Sequence, residues 1–237
     1  MNIVVTGASN GIGYHTCLSL VRAANHKVFA LSRNKEKLIA LSEEAVRRGS
    51  IGQVIPVVAD LSDATSLEHA VMEISKQAKG LDVLINNAGK LLSKPFDALS
   101  IREWKEIYDV NVFGTVAITS QLLPFLKASG EPAHIVNISS MGGIQGAQKF
   151  PGLSAYTSGK AALIAISECL AEELKEYRIA VNCLALGSVA TQMFSTAFPG
   201  LKAALPADAM GQYIADFALS GHQFYNGKVL QVSASTP

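Results

Sequence analysis

A glycine-rich turn directly after the first apolar segment constrains the fold of this chain most. Residues 2–6, Asn-Ile-Val-Val-Thr, are a short run with β-branched members, which predicts a buried strand. The turn that follows contains Gly7, Gly11 and Gly13, and apolar residues then recur at helical spacing from Ile12 to Ala24. A strand, a glycine turn and a helix in this order are typical of a site that holds a dinucleotide. An ordinary βα turn rich in glycine is the simpler alternative.

Each glycine of this turn has a separate mechanical purpose. Gly7 allows a tight turn, Gly11 lets the backbone approach a pyrophosphate, and Gly13 lets the helix pack close to the sheet. The free N–H groups and the positive end of the helix dipole then face the phosphates. The spacing is Gly-x-x-x-Gly-x-Gly, a variant of the commoner Gly-x-Gly-x-x-Gly. We therefore predict a dinucleotide site at this turn.

Apolar segments alternate with helical segments along the whole chain. Helices are predicted in the gaps between strands, with long ones near 101–127 and 155–176. This alternation, with right-handed crossovers, predicts a single-domain α/β fold: a Rossmann-type doubly wound parallel sheet of about seven strands, with helices on both faces. A length of 237 residues without a linker or repeat favours one domain over 1–237. The predicted strands are 2–6, 27–31, 53–59, 81–86, 133–138, 179–184 and 227–232.

A tyrosine and a lysine four residues apart are the second chemical signal. Tyr156 and Lys160 share one face of a predicted helix. An ammonium near a phenol favours the phenolate, as a tyrosine acting as acid or base near neutral pH requires. By itself the pair is weak, because a chain of this composition has about 0.35 such pairs by chance.

Several motifs together resemble the short-chain dehydrogenase/reductase family, in its compact single-domain branch. They occur in the family's order and span residues 1 to about 191. The set is far more specific than any member of it. The motifs are Thr6-Gly-Ala-Ser-Asn-Gly-Ile-Gly13, Asp60-Leu61, Asn86-Asn87-Ala88-Gly89, Asn111 within Asp-Val-Asn-Val-Phe-Gly, Ser140 within Ile-Val-Asn-Ile-Ser-Ser, and Tyr156-Thr-Ser-Gly-Lys160.

The resemblance implies four catalytic residues. Tyr156 is expected to be the general acid in reduction and the base in oxidation, and Lys160 to lower the tyrosine pKa and hold the nicotinamide ribose. Ser140 is expected to hydrogen-bond the substrate oxygen, and Asn111 to position a water that relays protons. Simpler alternatives are that Asn111 satisfies backbone groups in a helix and that Ser139 or Ser140 is a turn residue.

The glycine turn and the resemblance also imply which residues bind the cofactor. No metal site is expected, since the histidines and cysteines lack ligand spacing. The cofactor-binding residues are expected to be Gly7, Ser9, Asn10, Gly11, Ile12, Gly13, Ser32, Arg33, Asn34, Asp60, Leu61, Asn87, Ala88, Gly89, Tyr156, Lys160, Val189 and Thr191.

The end of the second predicted strand indicates NADP(H) rather than NAD(H). Ser32 lies 19 residues after Gly13, where NAD-binding folds tend to carry an acid for the ribose 2′-hydroxyl. Arg33 follows and is suited to bind a 2′-phosphate, with Asn34 as a neutral partner. Alternatively, Arg33 is a solvated residue at a strand end. Many NADP-type relatives carry a second basic residue where this chain has Asn10, but NADPH is still the predicted preference.

The segments expected near the substrate are mostly apolar. They include a substrate loop near 188–205. Just before this loop, after the sixth predicted strand, Leu186-Gly187 stands where the family usually has Pro-Gly. A small, fairly apolar carbonyl or alcohol substrate is predicted, although many of these side chains could instead pack loops onto the core. The expected substrate residues are Leu91, Leu92, Phe96, Met141, Ile144, Phe150, Leu153, Met193, Phe194 and Phe198.

Composition and charge exclude other classes of function. The net charge is +1 with no basic stripe, so nucleic acid is not expected, and no apolar run approaches the length of a membrane span. Cys17, Cys169 and Cys183 are expected to be reduced, buried thiols of a cytoplasmic protein. A non-catalytic dinucleotide-binding redox sensor or regulatory subunit on the same fold is the alternative to an enzyme.

The resemblance finally implies a homodimer or homotetramer. In the family, the helices corresponding to 101–127 and 155–176 commonly pair across a two-fold axis. An apolar centre is expected for such an interface. Candidate interface residues are Ile118, Leu122, Leu163, Ile166 and Leu170.

Overall fold

Seven parallel strands form one sheet in the computed structural model of the chain, which describes residues 1–233. The strands are β1 Asn2–Thr6, β2 Lys27–Ser32, β3 Gln53–Val58, β4 Val83–Asn86, β5 Ala133–Ser140, β6 Ile179–Leu186, β7 Val189–Ala190, β8 Leu205–Pro206 and β9 Val229–Val232. The sheet order is β3-β2-β1-β4-β5-β6-β9, and β7 pairs with β8 separately. The predicted doubly wound sheet of seven parallel strands is therefore confirmed.

Helices cover both faces of the sheet, because its central strands are apolar on both sides. The helices are α1 Gly11–Arg22, α2 Lys35–Arg47, α3 Ala64–Ser75, α4 Ile101–Tyr108, α5 Gly114–Lys127, α6 Ser154–Glu173, α7 Gln192–Ala197 and α8 Ala207–Ser220. Ile3 and Val5 pack with α1, α2 and α8, whereas Val4 between them packs with α3, α5 and α6. The predicted substrate loop contains β7, α7 and the start of β8.

The long helix predicted over 101–127 is present, but its hydrogen bonding changes register near the middle. It is divided into α4 and α5 by a π-helical turn at Asp109–Phe113, in which the Gly114 N–H donates to the Asp109 carbonyl. Such turns occur frequently at functional sites. Here the turn holds Asn111, whose side chain bonds the loop after β4.

Three of the five residues expected at a helix-pairing interface instead face the core of their own chain. Ile118 and Leu122 are fully buried, and Leu163 is almost so, because these positions cover the sheet. Ile166 and Leu170 are half-buried.

The cysteine prediction is also partly wrong. All three thiols are free, and Cys17 and Cys183 are buried, but Cys169 is exposed on α6. Within residues 1–233, no group of three or more His, Cys, Asp or Glu side chains is placed to hold a metal ion. Nor is any helix in that range long and apolar enough to cross a membrane.

His134, near the start of β5, is completely buried. Its Nδ1 lies 3.0 Å from the Ala218 carbonyl oxygen, and its Nε2 lies 3.0 Å from the Asn182 side-chain nitrogen. A neutral ring with its proton on Nδ1 satisfies both contacts. The ring of His222 lies 5.6 Å away, between centroids. Protonation of His134 would place a second proton where the Asn182 amide already donates.

We expect acid to destabilise the fold through His134. Burial lowers the pKa of this histidine from 6.5 to about 4. Between these values the unfolded chain binds a proton that the folded chain excludes. The neutral ring therefore stabilises the fold fully above the pKa of His134 in the unfolded chain. This stabilisation is lost as the pH falls towards the pKa of His134 in the folded chain, and the free energy of unfolding decreases by up to roughly 3 kcal/mol.

Urea denaturation at about pH 7 and about pH 5 measures this dependence. His134→Gln keeps a donor and an acceptor but removes the titration, so its free energy of unfolding should change less between the two pH values. His69→Gln, at an exposed position on α3, is the matched control and should behave like the unaltered protein. An equal pH dependence in all three proteins would contradict the prediction.

Candidate active site

A cleft of about 720 Å³ opens at the carboxyl ends of the central strands. This is where open parallel sheets bind ligands, at the point where the strand order reverses. The cleft is lined by every predicted cofactor-binding or catalytic residue except Gly13 and Asn111. It therefore brings the glycine turn, the end of β2, the loop after β4, Ser140, Tyr156 and Lys160 together in one site.

The glycine turn packs tightly against the loop after β4. Gly7 and Gly11 have φ values of +69° and +54°, which favour glycine. A Cβ on Gly7 would lie 2.7 Å from the Ala88 Cα, and a Cβ on Gly13 would overlap the Gly7 carbonyl. The Asn87 amide donates to the Gly7 carbonyl at 3.2 Å. Gly13 thus supports the turn from beneath rather than lining the cleft.

The N-terminus of α1 fits a pyrophosphate. Asn10 precedes the helix in extended conformation, and within the described chain its side chain makes no capping hydrogen bond. In contrast, Asn34 and Asp63 cap the next two helices through their side-chain oxygens. The first N–H groups of a helix require acceptors, and at this end Gly11 and Ile12 line the cleft. The N-terminus of α1 is therefore suited to an anion.

The end of β2 carries two cations rather than the one predicted. Lys37 also lines the cleft, four residues after Arg33 in the first turn of α2. The Asn34 side-chain oxygen accepts from the Lys37 N–H at 2.8 Å, so this oxygen is occupied in capping the helix. Lys35 and Lys37 both follow Arg33 within four residues of the sequence, but the fold decides that Lys37 lines the cleft.

Asp60 lies across the cleft from these cations. Burial acts to raise the pKa of its carboxyl, but hydrogen bonds from Ser62 and the charge of Arg33 outweigh this effect and lower it. The Ser62 hydroxyl donates to the carboxylate at 2.7 Å. Asp60 is consequently ionised. Although Asp60 is distant from Arg33 in the sequence, the fold places its negative charge near the Arg33 guanidinium.

Lys160 is held firmly at the end of β5. Its Nζ donates to the Ile138 carbonyl at 2.8 Å, and its side chain is only 3% exposed. The Ser139 hydroxyl donates to the Lys160 carbonyl at 2.8 Å. The neighbouring Ser140 lines the cleft with Tyr156 and acts to lower the pKa of its phenol. The two serines therefore have different roles, since Ser139 fixes the helix and Ser140 faces the tyrosine.

The expectation that Lys160 lowers the pKa of Tyr156 is wrong for the protein groups alone. Burial raises the pKa of Tyr156 to about 12, and the hydrogen bond with Ser140 opposes this only in part. Burial also lowers the pKa of Lys160 to about 8. The Lys160 Nζ lies 5.8 Å from the centroid of the tyrosine ring and is bound to a carbonyl. Desolvation and Ser140, rather than the Lys160 ammonium, therefore set the pKa of Tyr156 among the protein groups.

The Asn111 side chain is engaged with backbone groups. It is completely buried, accepts from the Lys90 N–H at 2.7 Å and donates to the Lys90 carbonyl at 2.8 Å. A Cβ on Gly89 would lie 3.5 Å from both the Asn111 oxygen and the Lys160 Nζ. The Asn111 side chain therefore satisfies backbone groups, as the simpler alternative has it, but in the loop after β4 rather than in a helix, and it fixes this loop beside Lys160.

The apolar half of the cleft contains most of the expected substrate residues. Leu92, Phe96 and Ile144 are not among the lining residues within the described chain. Phe96 is 72% exposed and packs edge-on against Trp104 instead. The sequence alone did not indicate which side chains of each loop line the cleft. The lining side chains of this half include Leu91, Val110, Met141, Phe150, Leu153, Thr157, Gln192, Met193, Phe194, Ala197 and Phe198.

The segment after β6 closes the cleft beside the glycine turn. A Cβ on Gly11 would lie 3.3 Å from the Thr191 Cγ2. Thr191 also caps α7 through its hydroxyl, which accepts from the Phe194 N–H at 3.2 Å. The position of α7 is therefore linked to the cofactor half of the cleft.

Comparisons with known proteins identify the family of this chain. Residues 1–202 match the profile of the family described as short chain dehydrogenase. The chain is 33% identical over 205 residues to the uncharacterized oxidoreductase YusZ of Bacillus subtilis, covering 86% of this chain and 70% of that protein. The chain spans between 58% and 74% of the length of several curated relatives.

Solved structures share the whole fold. A 3-ketoacyl-ACP reductase from Sinorhizobium meliloti superposes with a TM-score of 0.85 at 30% identity, covering 98% of this chain and 97% of that one. A short chain dehydrogenase from Escherichia coli CFT073 complexed with NADPH superposes with a TM-score of 0.86 at 28% identity, covering 97% and 95%.

Proposed function

This chain belongs to the short-chain dehydrogenase/reductase family of oxidoreductases, and we propose that it transfers a hydride between NADP(H) and a small, fairly apolar carbonyl or alcohol. One observation carries the proposal. The Tyr156 phenol and the Ser140 hydroxyl meet in the cleft that also receives the uncapped N-terminus of α1. A proton donor and a dinucleotide site therefore share one cavity.

In reduction, the bound dihydronicotinamide supplies the hydride that the carbonyl carbon accepts. Tyr156 gives its phenolic proton to the carbonyl oxygen, so that one hydride and one proton convert the carbonyl to an alcohol. A pKa near 12 keeps Tyr156 protonated at neutral pH, as an acid requires. Ser140 donates a hydrogen bond to the oxygen as negative charge develops on it.

Lys160 supports this step through its fixed position. Its ammonium is suited to the ribose hydroxyls of a nicotinamide nucleotide and stabilises a tyrosinate after proton transfer. Asn111 acts one step further away, since it fixes the Lys90 backbone next to Gly89. We therefore assign Tyr156, Ser140 and Lys160 to the reaction and Asn111 to positioning.

Oxidation of NADPH in the presence of a panel of ketones and aldehydes tests the proposed function. We expect turnover with at least one neutral carbonyl compound. NADPH binding without reduction of any carbonyl would instead support a non-catalytic sensor. The set of Asn111, Ser140, Tyr156 and Lys160 favours the enzyme, because a sensor would be free to lose it.

The preference for NADPH rests on the charges at the end of β2. Arg33 and Lys37 line the cleft, and neutral Ser32 stands where an acid would select NADH. Two cations favour a 2′-phosphate through charge-assisted hydrogen bonds.

We expect the unaltered protein to use NADPH in preference to NADH by about tenfold or more in kcat/KM, which corresponds to about 1.4 kcal/mol. Arg33→Ala should remove most of this preference and leave NADH use nearly unchanged, because only the 2′-phosphate needs the cation. Lys37→Ala should reduce the preference further. Lys35→Ala, an exposed neighbour, is the matched control. Equal use of both cofactors by the unaltered protein would contradict the assignment of Arg33 and Lys37 to the 2′-phosphate.

We also propose a homodimer or homotetramer in the cytoplasm. Ile101, Phe113 and Val116, along α4, the π turn and α5, are 72%, 60% and 43% exposed, which supports an apolar contact surface on these elements. The three free thiols are compatible with a reducing compartment. Light scattering at micromolar concentration measures the assembly, and a monomer would contradict this part.

A further inference from the structure

Three phenylalanine rings close the apolar half of the cleft from two separate segments. Phe150 comes from the loop before α6, whereas Phe194 and Phe198 come from α7 and its C-terminal end. The Phe150 and Phe198 ring centroids are 5.0 Å apart with the planes at 78°, and those of Phe194 and Phe198 are 5.2 Å apart at 40°. All three line the cleft and are half-buried. We call them the phenylalanine clamp.

The lysines on the two segments that flank this half are already engaged. Lys90 and Lys94 form ion pairs with Glu106 and Glu103, with nitrogen–oxygen distances of 2.9 and 2.8 Å. The Lys149 Nζ donates to two backbone carbonyl oxygens at 2.6 and 2.5 Å. A carboxylate or phosphate bound at these lysines would have to displace an existing partner. The lysines on these two segments therefore favour a ligand without charge at their side of the cleft.

The ring geometry adds a second requirement on the ligand. Aromatic rings prefer offset or edge-to-face contacts at centroid distances of about 4.5–7 Å, and such contacts stabilise beyond the area they bury. The clamp already contains this geometry between Phe150 and Phe198. An aromatic ring inserted beside them gains the same contacts, whereas a saturated ring of equal size gains burial alone.

We propose that the substrate is an uncharged ketone or aldehyde whose body is an aromatic ring, held in the phenylalanine clamp with its carbonyl at Tyr156 and Ser140. This inference rests on the proposed function and specifies its substrate class. It predicts discrimination between aromatic and saturated rings of the same shape. It also predicts discrimination against anionic carbonyl compounds.

A pair of matched ketones tests the ring requirement. 4-Phenyl-2-butanone and 4-cyclohexyl-2-butanone carry the same chain and an unconjugated carbonyl, and they differ in the aromaticity of the ring. We expect kcat/KM with NADPH to be about tenfold higher for the phenyl compound. Levulinate, which carries a carboxylate, and acetoacetyl-CoA, which carries phosphates, should be poorer than either.

Variants assign the preference to the clamp. Phe198→Leu and Phe150→Leu keep an apolar side chain but remove a ring, so each should lower the phenyl-to-cyclohexyl ratio to about two or less. Phe224→Leu, at a position that is 76% exposed after α8, is the matched control and should keep the native ratio. Circular dichroism and NADPH binding establish that each variant is folded, and the two clamp variants provide independent tests.

Every outcome of these measurements either supports or overturns the proposed substrate class. Equal kcat/KM for the two ketones, a ratio that survives both clamp substitutions, or better turnover of levulinate or acetoacetyl-CoA would overturn the inference and leave the proposed function standing. NADPH binding with no reduction of any carbonyl would overturn the proposed function and this inference together.

Discussion

Replacement of Tyr156 by phenylalanine should lower kcat for carbonyl reduction by at least about a hundredfold, within the usual range for loss of a general acid. The substitution removes the phenolic proton and keeps the ring, so the packing around it persists. The residues of the glycine turn and the Lys160 contact with Ile138 do not depend on the hydroxyl. The dissociation constant for NADPH should therefore stay close to the native value.

Stopped-flow measurement of NADPH oxidation at saturating cofactor separates these two effects. Tyr177→Phe is the matched control, because Tyr177 is half exposed and packs beneath Lys127 away from the cleft. Its turnover should be unchanged. Near-native turnover in Tyr156→Phe would refute the assignment of this residue as the acid.

Replacement of Lys160 by methionine should reduce both catalysis and cofactor binding. Methionine fills much of the space of the buried lysine stem but lacks the ammonium that now donates to Ile138. Without that charge, a tyrosinate formed after proton transfer loses its stabilisation. We expect kcat to fall by about a hundredfold and the affinity for NADPH by about tenfold.

A pH profile distinguishes a role of the charge from a role of the shape. Burial lowers the pKa of Lys160 to about 8, so the ammonium is lost as the pH rises through this value. In the unaltered protein, kcat/KM for reduction should therefore decline above about pH 8. Lys160→Met has no such group and should lack the decline, whereas Lys175→Met, at an exposed position, should retain it. A decline that persists in Lys160→Met would disprove this role.

The sequence predicted the parts of the site that depend on local rules. The strand, turn and helix around Gly7 could be predicted because apolar periodicity and glycine conformation are local properties. The parallel sheet covered by helices on both faces followed from the alternation of strand-like and helical segments. Tyr156 and Lys160 could be placed together because a helix brings positions four apart to one face.

Features that depend on contacts between distant segments could not be predicted. The π turn at Asp109–Phe113 accompanies the bonds between Asn111 and Lys90, which are 21 residues apart. The pKa of Tyr156 is raised by desolvation in the assembled cleft, opposite to the lowering expected from Lys160. Phe96 and Phe198 look alike in the sequence, but only the packing of their loops decides that Phe198 lines the cleft.

The uncapped N-terminus of α1 links the folding of this chain to its metabolic surroundings. Because within the described chain the Asn10 side chain leaves this helix end without a cap, the pyrophosphate of the proposed cofactor would complete the hydrogen bonding that a side chain provides in α2 and α3. A ligand that binds only the folded state adds about 2.7 kcal/mol to its stability at a hundred times its dissociation constant. The nucleotide pool of the cell would then govern how long the protein survives, as well as how fast it works.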